Sequence, residues 1–150
     1  MDWATDATLG SLVAATRGLR SPLQSRGVSD QVTIRIPANT AHVGLVRATG
    51  SALAALLDFT YDRITDLHIA IDEVCSRIMA TSSPQPSHIE ITFVIEDGTM
   101  EVIAKGDRPV REGSEFLTSW SRAILESVTQ GFEISQPDGA TLISFQLAGG

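Results

Sequence analysis

The sequence predicts an α/β sandwich of two layers, a mixed sheet with its helices packed on one face, and three observations carry that expectation. Apolar residues first alternate at every second position, then recur at helical spacing, then return to alternation. Two Asp-Gly pairs, Asp97-Gly98 and Asp138-Gly139, stand between alternating runs, where hairpins turn. Proline and glycine punctuate the remaining boundaries, at Pro37, at Ser82-Ser83-Pro84-Gln85-Pro86 and at Gly131. The resulting order is strand, helix, helix, strand, strand, helix, strand, strand.

The elements follow in turn. Val32, Ile34 and Ile36 alternate with Thr33 and Arg35 as a half-buried strand does, and Pro37 stops it. Asn39 or Thr40 caps a helix in which Val43, Val46, Leu53 and Leu57 mark the apolar stripe, with Leu45 and Leu56 widening it. A second helix follows Asp62, with Ile64, Leu67, Ile71, Val74 and Ile78 stepping along one face. Ile89, Ile91, Phe93 and Ile95 share one face of a strand that turns at Asp97-Gly98 into Met100–Ala104. Leu117, Trp120, Ile124 and Val128 mark a third helix, and Trp120 is expected in the core or at an interface. A hairpin of Phe132–Ser135 and Thr141–Leu147 closes the chain. Residues 1–30, with Arg17, Arg20 and Arg26 among glycines and small polar residues, read as a flexible extension, a solvated tail or a docking arm for an acidic partner. Residues 31–148 are expected to be the folded domain.

Composition narrows the function. The chain has 150 residues, enough for one core-forming domain, and its 43% hydrophobic content is that of a globular protein. Net charge is −7 and the eleven basic residues are scattered, which disfavours a nucleic-acid partner. No apolar run reaches the length of a membrane helix, and the N-terminus lacks the layout of a secretory signal. Cys75 is the single cysteine, expected as a packed thiol in a cytoplasmic protein. His42, His68 and His88 fall on separate elements without metal-ligand spacing.

The stretch that begins IPANTAHVGLVRATG at Ile36 and runs through IDEVCSR to Arg77 resembles the front half of RsbW-type anti-sigma factors, serine kinases with the GHKL (Bergerat) ATPase fold. The resemblance extends over roughly Val32–Leu147 through the order of elements and implies that fold. It also implies an E-x-x-x-N box, whose glutamate is the family's general base and whose asparagine holds the magnesium of ATP. Here Glu73 is followed at the fourth position by Arg77, which has no acceptor and cannot ligate a cation. Exposed on one helix, the two residues are instead expected to form an ion pair. The family's D-x-G-x-G box falls on Ala104-Lys105-Gly106-Asp107-Arg108, so Ala104 replaces the adenine-binding aspartate and Arg108 the second glycine; Asp107 lies beyond the strand end and would serve as a shifted replacement only after a local slip. The lid segment, REGSEFLTSW from Arg111 to Trp120, keeps Gly113 alone, too little for a nest of phosphate-binding amides.

Such a degenerate set looks like an actinobacterial branch of the family. It implies an anti-sigma factor that sequesters an alternative, stress- or sporulation-type RNA polymerase sigma factor, is countered by an anti-anti-sigma (STAS-domain) protein, forms a homodimer and takes no cofactor. By resemblance Arg47 is the partner-binding residue, flanked by His42 and Val43 on the same helix. The other readings are an active serine kinase using ATP and magnesium, and an adaptor for a STAS-domain protein alone.

Overall fold

The structure is a computed structural model that describes residues 30–149. The expected N-terminal extension, its three arginines and Trp3 lie outside the described residues. Strand β1, Asp30–Pro37, ends at the proline, and Asn39 then starts the helical region. Its backbone is extended and its side chain accepts a hydrogen bond from the Ala41 amide at 2.9 Å, satisfying one of the free donors at a helix start. A single 3-10 turn, Thr40–His42, leads into α1, Val43–Leu56. Thr60 caps α2, Tyr61–Thr81, by accepting from the Arg63 amide, and Thr118 caps α3, Ser119–Val128, by accepting from the Ser121 amide. The other strands are β2, His88–Glu96, β3, Thr99–Gly106, β4, Gly131–Ser135, and β5, Thr141–Ala148.

The sheet order is β1-β2-β3-β5-β4, and every pairing is antiparallel. The mixed sheet expected from the sequence is thus corrected to an antiparallel one, for a reason that lies in the connections. Two helices between β1 and β2 return the chain to the end it left, so the next strand runs back beside the first. The single helix between β3 and β4 does make those two strands run the same way, but β5 inserts between them. Asp97 and Gly98 supply the two positive φ angles, 50° and 74°, of the β2–β3 turn.

One face of the sheet carries Ile89, Ile91, Phe93, Met100, Val102, Ile143, Phe145 and Leu147, all buried against the helices. α1 contributes Val43, Val46, Gly50 and Ala54, and α2 contributes Leu67, Ala70, Ile71, Val74, Cys75 and Ile78. Leu45 and Leu56 do not widen the stripe: they are 55% and 74% exposed. Each residue advances about 100° round a helix, which carries Leu45 off the face that holds its neighbour Val46. Of the two expectations for Trp120, the core is excluded in the same way. The buried face of α3 is Ser121, Leu125 and Val128, and Trp120 beside it is 72% exposed.

At Gly50, an added Cβ would lie 3.2 Å from both Leu67 and Phe93, so the missing side chain lets α1 approach α2 and the sheet together. The constraint is tighter at Gly106, where a Cβ would stand 2.7 Å from the Cγ2 methyl of Ile78, a β-branched side chain with little freedom to move. Gly106→Ala should therefore push α2 off the end of β3 and lower stability by about 1–3 kcal/mol, the usual cost of overpacking. Urea denaturation would measure it.

Candidate functional site

The site is built on α2. Its residues Glu73, Arg77 and Thr81 are spaced by four, one helical turn apart, and form a polar stripe beside the apolar one. Each of the three is engaged by the segment that leads from β3 into α3. The Ser121 hydroxyl donates to Glu73 Oε2 at 2.5 Å and receives a bond from the Thr118 hydroxyl at 3.0 Å. Arg77 Nε donates to the Phe116 carbonyl at 2.7 Å, and its Nη2 to the Glu115 carbonyl at 3.1 Å. The Thr81 carbonyl accepts from the Arg111 amide at 2.6 Å, next to a bridge between Ser82 and Val110. Phe116 and Leu117 are buried, and Ser121 is 2% exposed.

The expected Glu73–Arg77 ion pair is thus replaced. Each residue has a partner from the loop or α3, and among the described residues no salt bridge joins the two. A guanidinium presents its donors in a fixed planar fork, and the two successive carbonyls of Glu115 and Phe116 occupy its Nη2 and Nε donors.

The remaining positions of the nucleotide boxes are occupied by packing. Ala104 is 1% exposed and faces the helix layer between Ile91 and Ile143, where the family's aspartate would offer an acceptor. Gly106 admits the Ile78 side chain. Asp107 lies beyond the end of β3 and accepts from the Ser87 amide at 3.1 Å. It borders a hollow of about 230 Å³ with Arg35, His88, Glu90 and Lys105. Arg35, Glu90 and Lys105 are cross-strand neighbours that alternate with the helix-facing residues, so this hollow opens on the face of the sheet opposite to the one Ala104 lines. Arg108 uses Nη1 on its own neighbour's carbonyl, and its Nε is buried without a partner. On the alignment that the resemblance implies, the position of the metal-binding asparagine holds a guanidinium already bonded to two carbonyls and the position of the adenine-binding aspartate a methyl group, neither of which offers magnesium-ATP an acceptor.

The expected partner-binding residues separate. Val43 is 5% exposed and belongs to the core, which removes it from any contact surface. His42 is half-buried at the end of the 3-10 turn. Arg47 lies at the border of the buried stripe of α1, and its Nη1 meets Asp72 Oδ1 of α2 at 2.5 Å, with both side chains partly in solvent. Asp72 and Ser121 had no role in the sequence reading. A signal for Ser121 was present: it shares its helix face with Leu125 and Val128 at spacings of four and seven, and a serine in an apolar stripe implies a hidden partner.

Among the described residues no group of His, Cys, Asp and Glu could hold a metal ion, and no helix is long and apolar enough to cross a membrane. The Cys75 thiol of α2, buried in the core, is pushed from 9.0 up to about 12, chiefly by burial, with Asp72 adding to the shift and Arg47 opposing it. Thiol reagents at pH 8 should leave it untouched in the folded protein and modify it after denaturation. Because the unfolded thiol ionises first, stability should fall as pH rises from about 9 towards 12.

No family model matches the chain. It is 32% identical over 77 residues to the serine-protein kinase RsbW of Bacillus subtilis (strain 168), covering 50% of this chain and 48% of that protein. It is 34% identical over 76 residues to RsbW of Bacillus velezensis, covering 49% of this chain and 48% of the relative. The chain therefore spans about half the length of the curated relatives it matches. In structure it is similar to the chain of the RsbU and RsbW domains of Rv1364c from Mycobacterium tuberculosis, with a TM-score of 0.63 at 16% identity, over 79% of this chain and 32% of that one. The chain is RsbW-like in the sequence of half its length and has the GHKL-type fold of an RsbW domain.

Proposed function

We propose that this protein is an anti-sigma factor that holds an alternative sigma factor by protein contact alone and releases it by competition with a STAS-domain antagonist. The observation that carries this reading is the state of the E-x-x-x-N position: Glu73 and Arg77 are both committed to the chain's own loop and third helix while the scaffold around them is intact. A scaffold kept without its nucleotide chemistry has binding as its remaining use. The negative net charge suits a partner whose DNA- and polymerase-facing surfaces are basic, and would speed encounter. The active protein in this reading is a cytoplasmic homodimer, with Arg47 and His42 at the sigma-binding surface.

The test is binding of the purified protein to each sigma factor of its host in turn, by calorimetry, with and without magnesium-ATP. Retention of one alternative sigma factor, indifferent to nucleotide, is the expected result. If none binds and a STAS-domain protein does, the adaptor reading replaces this one. Light scattering at micromolar concentration reports the dimer, and a monomeric mass across the accessible range would remove that part.

A further inference from the structure

The polar stripe of α2 is gripped along its whole length by one continuous segment. From the C-terminal end of the helix, Thr81 holds Arg111, Arg77 holds Glu115 and Phe116, and Glu73 holds Ser121, so the eleven residues from Arg111 to Ser121 are laid over two turns of helix. Ser83 extends the grip by donating its amide to the Pro109 carbonyl at 3.0 Å. Between the anchors the segment is tied to itself, since Ser114 donates its amide to the Arg111 carbonyl at 3.0 Å and its hydroxyl meets Arg111 Nε at 3.2 Å. The Phe116 and Leu117 side chains are driven into the core beside the stripe.

We infer that residues 109–121 form a self-docked strap, in which the Arg77 guanidinium serves as a built-in cation that orders the strap by chelating the Glu115 and Phe116 carbonyls. This rests on the reading of the site as degenerate and adds how that site is kept closed. Two carbonyl oxygens converging on one positive centre is an arrangement that a bound cation also satisfies, and here the cation is covalently part of α2. It needs no ligand to arrive and leaves with none. Ser121 completes the closure by donating to Glu73 Oε2, which ties the carboxylate of the stripe to α3. The strap ends in α3, next to the exposed Trp120.

Hydrogen exchange and limited proteolysis of the nucleotide-free protein test this directly. The amides of Arg111 and Ser114 should exchange slowly in the wild type, close to those of α3. Glu-C protease should cut after Glu112 and Glu115 slowly. Arg77→Ala removes both charge-assisted bonds and should raise cleavage after Glu115 about tenfold or more, with Arg77→Lys, which has one compact donor group, between the two. Cleavage after Glu96, across the sheet, should not change, which separates release of the strap from global unfolding. Fast exchange of Arg111 and Ser114 in the wild type would overturn the inference whatever the variants do, and so would equal cleavage of Arg77→Ala and wild type. Protection that is present without ligand but lost on adding magnesium-ATP would keep the strap and overturn the degenerate-site reading instead.

Discussion

Calorimetric titration of this protein with magnesium-ATP is expected to show no saturable heat at millimolar ligand. A micromolar complex would need about 8 kcal/mol of binding free energy, and the contributions that normally supply it are each compromised. Ala104 offers adenine no acceptor, Arg77 offers magnesium no lone pair and would repel it, and Gly113 alone cannot furnish a nest of amides for a triphosphate. Phosphoryl transfer depends on a metal-held γ-phosphate in line with its acceptor, so γ-labelled ATP should leave no label on a STAS-domain antagonist. Label that appears, and that falls on changing Glu73→Ala, would establish the kinase reading.

Arg47→Ala should weaken sigma-factor binding by about 2–5 kcal/mol if the arginine meets a carboxylate that becomes buried in the complex. The fold itself should lose little. Arg47 and Asp72 form a pair 38% and 52% exposed, and such pairs are worth about 0.2–1 kcal/mol. The pair has a second consequence, since a partner's carboxylate must compete with Asp72 for the guanidinium. Asp72→Asn should accordingly leave binding unchanged or tighten it, while Arg47→Ala weakens it. Calorimetry on both variants, with denaturation midpoints as the control, distinguishes an arginine presented by Asp72 from one merely neutralised by it. Unchanged affinity in Arg47→Ala would move the interface elsewhere.

The sequence by itself determined the elements and their order, because these follow from local rules. Alternation along Ile89–Ile95, the Asp97-Gly98 turn and the threonine and asparagine caps each depend on residues only a few positions apart. Residue identity also states where the chain departs from the nucleotide boxes that the resemblance implies, with an alanine at Ala104 and a cation at Arg77. Tertiary structure alone decided what those residues do instead. Local spacing offered Glu73 as the partner of Arg77, but the carbonyls that bind it come 38 and 39 residues later, carried there by the β2–β3 hairpin and the path of the loop. Likewise the helical stripe enlisted Leu45, Leu56 and Trp120 and the partner surface enlisted Val43, whereas solvent exposure is set by where neighbouring elements stop. The antiparallel sheet belongs to the same class. A strand's periodicity records which face is buried and is silent on the direction of its neighbour, which the number of intervening helices and the insertion of β5 between β3 and β4 decide.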